Sequence, residues 1–371
     1  MTKIKTIFIA IIAMAMIASL CNVQSVSAAQ TISAPAKISI SVKSPQKTVS
    51  WSAVNNADGY ILCYANNYLF AGMRQITTSK NKVTLKTKYS LYAKVRAYKK
   101  VDGKTIYSNW KIYRSSGVSK KAKYTKIKSN INKSGLNDPT QGSTTDGTYY
   151  YQAFGGTNPD NQIRIAKYRM SDYSRVKVSG KLYVGHANSL AYIPETNQIA
   201  VTYSAGSYNS KISNSAKMKK KTIQKICFVD ASTLKKEKEI TVSSYIKQYS
   251  GIAYFPGEKK FILRSKTDST KGVVMNNSFK GIKRISFGVK SNQGTCAFNG
   301  DTKAFVAAQA TIKKLDENYI MIFNQNGKLL QKLYIPLKGE IEGVFSSGNN
   351  LFFVFYAKHK SDTPTSIYKV L

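Results

Sequence analysis

Acidic residues are scarce in this chain. Its 371 residues include 18 Asp and Glu against 57 Lys and Arg, which leaves a formal charge of +39. A charge of this size raises encounter rates with polyanions and makes their binding sensitive to salt. The alternative interpretation is a lysine-rich surface that is only solvated, and the composition leaves both open.

Cysteine and histidine are scarce as well, with four Cys and two His. Cys63, Cys227 and Cys296, the three beyond the first 29 residues, form an odd set on apolar, strand-like segments. That excludes a disulfide framework and favours small buried side chains. No segment matches a P-loop, a nucleophile elbow, a zinc-ligand spacing or a Rossmann loop. The sequence therefore predicts no cofactor and no metal, and it leans against an enzyme.

Long hydrophobic runs are missing outside the first 29 residues. Lys3 and Lys5 precede an apolar run over 7–20, and small residues follow at 27–29. This pattern predicts a cleaved signal peptide over 1–29 and hence a secreted, extracellular or cell-wall-associated protein. The run is shorter than the roughly 20 residues of a membrane span, so no stable span is expected after removal. The alternatives are an uncleaved anchor and lipidation at Cys21, although Leu20 stands where such signals need a small residue.

Aromatic residues are plentiful, with 25 Tyr and 15 Phe, and they favour strands. Over residues 32–116, short strand-like runs alternate with Gly, Asn and Asp turns, which predicts a β-sandwich. The segments VSW (49–51), DGY (58–60), YAKVRAY (92–98) and YSNW (107–110) resemble a bacterial extracellular fibronectin type III domain. The resemblance implies a spacer or a weakly adhesive module. Residues 117–122 are predicted to be a linker.

A polar–small–apolar segment followed by a turn and a β-rich run recurs five times in the rest of the chain. Aligned on positions 142, 189, 251, 294 and 343, the steps are 47, 62, 43 and 49 residues. A period of roughly 40–50 residues predicts propeller blades. The expected fold is all-β: a fibronectin type III sandwich followed by a five-bladed propeller over 123–371.

Four of these units contain four strand-like runs, and the fifth contains three. An unpaired edge would remain, which β-proteins avoid. We therefore expect strand 123–131 to pair with 366–371 and close the ring. The alternative is a six-bladed ring with a degenerate blade in the long second unit.

The residue just before each predicted innermost strand is polar, and two further polar residues lie two positions before Asn188 and Glu342. These candidate ligand-binding residues are Gln141, His186, Asn188, Ser250, Gln293, Glu340 and Glu342. A polar ring around a propeller axis predicts a ligand site. The alternative is that these side chains only hydrogen-bond the channel and its waters.

The second unit contains a Ser, Asn and Lys-rich insertion over residues 204–221. It is predicted to be either a solvated loop or a contact for polyanions. Its candidate polyanion-binding residues are Lys211, Lys217, Lys219, Lys220 and Lys221.

Several segments of the propeller region resemble the helveticin-type class III bacteriocins. They are HAN at 186–188, NQG at 292–294, EIE at 340–342 and the tail over 351–371. The family is associated with killing of related bacteria at the envelope. The resemblance implies roles for His186, Gln293, Glu340 and Glu342, but the leader and the sandwich depart from that family.

These observations predict an exported, non-enzymatic binding protein of a Gram-positive bacterium. Its partner would be an anionic cell-wall polymer or a glycan, bound by the propeller, with the sandwich as a spacer and no specific nucleic acid. One alternative is a lactonase- or lyase-like propeller enzyme that uses Glu342 and Asn188 at the axis. The other is a helveticin-like antibacterial protein. Neither the ligand's identity nor the oligomeric state follows from the sequence.

Overall fold

The structure is a computed structural model of the chain. It describes residues 31–114, 119–131, 136, 139–155, 162–203, 225–242, 246, 248–310, 317–357 and 365–371. The fold is all-β. No helix among the described residues is long and apolar enough to cross a membrane.

The N-terminal part is a sandwich of two antiparallel sheets. Its strands are β1 (Ile38–Lys43), β2 (Gln46–Trp51), β3 (Gly59–Ala65), β4 (Arg74–Thr78), β5 (Lys82–Lys86), β6 (Tyr92–Val101), β7 (Lys104–Tyr107) and β8 (Lys111–Tyr113). One sheet has the order β1-β2-β5, and the other has β4-β3-β6-β7 with β8 also paired to β6. Trp51 and Tyr60 meet edge to face in the core, with ring centroids 5.5 Å apart. The alternating apolar residues of both sheets thus enclose one core.

The remaining strands form five further sheets, the blades. Blade 1 has β11 (Thr140–Thr145), β12 (Tyr149–Gly155), β13 (Ile163–Arg169) and β14 (Arg175–Val178). Blade 2 has β15 (Leu190–Ile193), β16 (Gln198–Thr202), β17 (Lys225–Asp230) and β18 (Lys236–Thr241). Blade 3 has β19 (Tyr249–Phe255), a 3-10 turn (Pro256–Glu258), β20 (Lys260–Ser265), β21 (Lys271–Asn276) and β22 (Gly281–Ser286).

Blades 4 and 5 each recruit a strand from the segment before blade 1. Blade 4 has β23 (Thr295–Asn299), β24 (Lys303–Ala310), β25 (Asn318–Phe323) and β26 (Leu329–Ile335), with β9 (Ser119–Lys121) pairing parallel to β26. Blade 5 has β27 (Glu340–Ser347), β28 (Asn350–Tyr356) and β29 (Thr365–Val370), with β10 (Tyr124–Lys128) antiparallel to β29. The part of the predicted 117–122 linker that the structure describes therefore contains a strand.

The five innermost strands form a closed ring, which confirms the predicted five-bladed propeller. β11 contacts β15, and the contacts continue through β19, β23 and β27 back to β11. The middle strands are buried on both faces because a neighbouring blade covers each side, as in the fully buried β16. The outermost strands are charged and largely exposed, as in β18. Burial thus rises from the rim to the axis.

The sandwich packs directly on blades 4 and 5. Leu69 and Ala71, from the β3–β4 connection, belong to the same apolar cluster as Phe298 and Phe353 of the propeller. The backbone N–H of Tyr68 donates to Oε1 of Gln331 at 2.7 Å. The two domains therefore share a core rather than only a connection.

Candidate functional site

The propeller axis is filled where the innermost strands approach one another most closely. A Cβ on Gly142 would lie 2.6 Å from the backbone nitrogen of Ser189, and one on Gly294 would lie 2.9 Å from the carbonyl oxygen of Asn188. The Ser189 hydroxyl lies 2.9 Å from that of Thr295, so blade 2 touches the non-adjacent blade 4 across the axis. This packing closes the central channel and separates its two ends.

The predicted polar ring lies at the end where the innermost strands begin. Its five members are nearly fully buried: Gln141, Asn188, Ser250, Gln293 and Glu342. Nδ2 of Asn188 donates to Oε1 of Gln293 at 3.4 Å, which brings two predicted residues together across the axis. Oε1 of Gln141 has no hydrogen-bond partner among the described groups. Gln141, Ser250 and Glu342 lie inside their strands, whereas the sequence placed them just before.

His186 and Glu340, the other two predicted residues, differ in exposure. Glu340 is buried and opens β27, while His186 is half-buried before β15. The five lysines predicted to contact polyanions (Lys211, Lys217, Lys219, Lys220 and Lys221) lie outside the described residues.

Arg264 is a buried cation near the ring that the sequence did not indicate. It lies in β20 and is 1% exposed, and its guanidinium donates to the backbone carbonyls of Ser291 and Gln293. Burial lowers its pKa to about 9. Burial, followed by the charge of Arg264, also lowers the pKa of Lys266. These hydrogen bonds hold the segment that leads into β23. In the sequence, Arg264 could have been singled out because it is a lone charged residue in an apolar run.

An open cavity of about 260 Å³ lies at the opposite end of the axis, where the innermost strands turn into their hairpins. All five blades line it through equivalent positions, and none of the seven predicted ring residues does. Its principal polar and aromatic residues are Thr144, Thr145, Asp146, Tyr192, Tyr254, Asn299, Phe345, Ser346 and Ser347. A concave site with a few convergent polar groups is the usual form of a ligand pocket.

Two tyrosines occupy equivalent positions of blades 2 and 3 in this cavity. Tyr192 is half-buried, and its hydroxyl donates to Oδ1 of Asn197 at 3.1 Å. Tyr254 is buried against the ring of Phe261, with centroids 4.5 Å apart. Burial and the neighbouring carboxylate of Glu195 raise the pKa of Tyr254 to about 12. Both phenols are therefore neutral near pH 7 and present an aromatic body with a polar tip.

The sandwich contacts the turns of blades 4 and 5 next to the cavity. The backbone N–H of Gly72 donates to the carbonyl of Asn349 at 3.3 Å, next to the cavity residue Gly348. Arg114 donates to the hydroxyl of Thr302 at 3.1 Å in the corresponding turn of blade 4. The blade 4 and 5 turns are thus fixed by the sandwich.

Within the described residues, no three His, Cys, Asp or Glu side chains are grouped so that they could hold a metal ion. Cys63, Cys227 and Cys296 are free and buried, as predicted. Burial raises the pKa of all three thiols. Their chemistry is that of small apolar side chains.

Comparison with solved structures finds other proteins at low sequence identity. Glutaminyl cyclase of Myxococcus xanthus is 10% identical with a TM-score of 0.46, covering 69% of this chain and 100% of its own. Hydrazine synthase of Kuenenia stuttgartiensis is 14% identical with a TM-score of 0.34, covering 64% of each chain. A tail fibre of a Staphylococcus aureus phage is 10% identical with a TM-score of 0.43, covering 67% of this chain and 53% of its own.

No protein-family model and no curated protein matches the chain. The resemblance to helveticin-type bacteriocins therefore stays a prediction, as does the enzymatic alternative. The fold rests on the strand pairings themselves.

Proposed function

We propose that this chain is an exported, non-enzymatic binding protein that recognises a glycan of the cell envelope. The cavity at the hairpin end of the axis carries the proposal, because all five blades converge on it. Its volume of about 260 Å³ lies just below the roughly 300–1,000 Å³ of pockets for drug-sized ligands. That volume suits one sugar unit at a time.

The lining of the cavity supports a glycan as the ligand. The half-buried Tyr192 offers an aromatic surface for the apolar face of a sugar ring. The hydroxyl of Ser347 and the amide of Asn299 can exchange hydrogen bonds with sugar hydroxyls. A single sugar unit would thus meet both kinds of contact.

The N-terminal sandwich is proposed to be a fibronectin type III module. Its sheets, β1-β2-β5 and β4-β3-β6-β7, carry the predicted motifs on the expected strands, with Trp51 ending β2 and Tyr60 in β3. Its shared core with blades 4 and 5 favours a supporting role at the cavity rim over that of a free spacer.

The first test is binding of cell-wall polymers and a panel of neutral glycans to the full chain lacking residues 1–29. We expect specific glycan binding that survives high salt and falls about tenfold in Tyr192→Ala, which corresponds to the loss of an aromatic contact worth about 1.4 kcal/mol. Isothermal titration calorimetry measures both effects.

Tyr183→Ala is the matched control, since Tyr183 is 47% exposed and does not line the cavity. This variant should bind like the parent chain. Binding that is lost at high salt and is unchanged in Tyr192→Ala would show that the basic surface binds the ligand, and it would contradict the cavity proposal.

A further inference from the structure

The axial cavity differs in charge from the rest of the molecule. Lys and Arg account for 57 of the 371 residues, yet neither type occurs among the described residues that line the cavity. The lining does include one carboxylate, that of Asp146. In a chain with a formal charge of +39, the described lining of this cavity thus carries one negative side chain and no positive one.

Asp146 is held rigidly at the cavity by its neighbours. Its Oδ1 accepts hydrogen bonds from the backbone N–H groups of Thr148 and Tyr149, at 2.8 and 2.6 Å. Its Oδ2 accepts a hydrogen bond from the hydroxyl of Tyr151 at 2.7 Å. These three hydrogen bonds fix the carboxylate in the β11–β12 turn.

A second carboxylate lies in the equivalent turn of blade 2. Glu195 is exposed and neighbours the hydroxyl of Tyr254. Burial and then the charges of Asp146 and Glu195 raise the pKa of Tyr192, so both carboxylates act on the same aromatic side chain. Tyr192 therefore lies within the field of two negative groups from neighbouring blades.

Lys167 is a cation on the blade 1 side of this site. Its Nζ donates to the carbonyl of Ala231 at 3.0 Å and lies 4.0 Å from the ring centroid of Tyr149. Burial lowers the pKa of Lys167, and the charges of Asp146 and Asp230 oppose that shift. Lys167 is thus engaged behind the cavity rather than presented to a ligand inside it.

We propose that the cavity selects sugar units that carry a free primary amine and rejects acidic ones. An ammonium group gains Coulomb attraction from Asp146 and Glu195 and a cation–π contact with Tyr192. The same charges would repel a carboxylate or phosphate on the ligand, and no cation among the described lining residues would offset that repulsion. The inference rests on the proposed glycan function and names the ligand class for that same cavity.

The test compares three oligosaccharides of equal length: glucosamine, N-acetylglucosamine and galacturonic acid tetramers. Calorimetric titrations of the full chain lacking residues 1–29 are run near pH 6, where the amines are protonated, at roughly 0.15 and 0.5 M salt. We expect the glucosamine tetramer to bind about tenfold more tightly than the N-acetylated one. The galacturonic acid tetramer should bind weakly, and only at the lower salt.

Two variants and one control identify the carboxylates responsible. Asp146→Asn keeps an acceptor for the turn, and Glu195→Gln keeps one for Tyr254. Each should reduce the preference for the amine about threefold to fivefold while leaving affinity for the N-acetylated tetramer unchanged. Glu237→Gln, a change on the outer strand β18, should alter nothing.

The possible failures are distinguishable. Galacturonic acid binding that is as tight as glucosamine binding and is lost in Tyr192→Ala would overturn the charge selection but keep the glycan site. Unchanged preference in Asp146→Asn and Glu195→Gln, with folding intact by circular dichroism, would also overturn it. Failure of all three tetramers to bind, or binding that ignores Tyr192→Ala, would overturn the glycan function itself.

Discussion

Gly294 lies where innermost strands from several blades meet on the axis. A Cβ there would stand 2.9 Å from the carbonyl oxygen of Asn188, 3.0 Å from that of Glu342 and 3.0 Å from Cα of Gly343. All three atoms belong to the backbone, so no flexible side chain can move away to make room. At the residue scale, the closed axis depends on glycine for space rather than for an unusual backbone angle.

Gly294→Ala should therefore destabilise the propeller by about 1–3 kcal/mol, the usual cost of overpacking. Equilibrium urea unfolding followed by circular dichroism measures the change. Gly180→Ala is the matched control, because an added Cβ at Gly180 meets nothing within 4 Å, and it should stay within about 0.5 kcal/mol of the parent. Equal stability of the two variants would contradict the account of a filled axis.

At the scale of elements, Glu239 ties β18 to its neighbours in blade 2. Its carboxylate accepts from Nζ of Lys225 at 2.6 Å, from Nζ of Lys236 at 2.7 Å and from the hydroxyl of Tyr203. Hydrogen bonds from Lys225, Lys236 and Tyr203, in that order, lower its pKa to about 2. The outermost strand, which has few apolar contacts of its own, gains a charged anchor.

This anchor predicts a pH dependence of stability. The folded-state pKa of Glu239 lies below its ordinary value of 4.5, so its contribution is complete above about pH 5 and is lost as the pH falls towards 2. Because the side chain is 30% exposed, Glu239→Gln should cost only about 1 kcal/mol at pH 7. The difference in free energy of unfolding between this variant and the parent should disappear near pH 2.

Urea unfolding at several pH values checks this expectation, with Glu237→Gln as the control on the same strand. If Glu239→Gln remains less stable than the parent by the same free energy at low pH, then packing, rather than the charge, links the strands.

At the scale of the whole molecule, an ion pair between a buried lysine and a partly exposed aspartate joins the two domains. Lys94 of β6 bonds the carboxylate of Asp301 in the β23–β24 turn, and the lysine side chain is 4% exposed against 44% for the aspartate. The ammonium also lies 4.7 Å from the ring centroid of Trp110. Burying a lysine is costly without a partner, so the docked arrangement depends on Asp301.

Asp301→Asn should weaken the docking by about 1–2 kcal/mol, less than for a fully buried pair because the aspartate is partly exposed. We expect the single thermal transition to broaden or divide in differential scanning calorimetry as the domains uncouple. In the double variant with Lys94→Met, much of the lost docking free energy should return. The reason is that the buried ammonium without a partner is no longer present.

The control is Lys100→Met, on the same strand but exposed, which should leave the transition unchanged. Identical scans for Asp301→Asn and the parent would show that the apolar contacts of Leu69 and Ala71 suffice to hold the domains together.

Much of the architecture could be predicted because it depends on local pattern. The buried run of β16 and the charged run of β18 read as middle and outer strands, since burial on two faces demands continuous apolar residues. The repeat on positions 142, 189, 251, 294 and 343 indicated five blades, since these positions mark the closest approach of each unit to the axis. An unpaired strand at each end of the propeller region also argued for β10 beside β29.

The location of the cavity could not be predicted in this way. A polar residue such as Asn188 near the start of an innermost strand is compatible with a pocket or with a filled channel. The outcome depends on whether blades 2 and 4 touch across the axis, as Ser189 and Thr295 do. Their separation of 106 residues leaves no trace in local periodicity.

By itself, the sequence determined the all-β class, the five blades and the basic composition, because each follows from residue types at short and regular spacing. Only the tertiary structure decided which end of the axis is open, that Tyr192 and Asp146 line it, and that the sandwich packs on blades 4 and 5. Those features depend on contacts between residues far apart in the chain. Their formation requires whole blades to be in place.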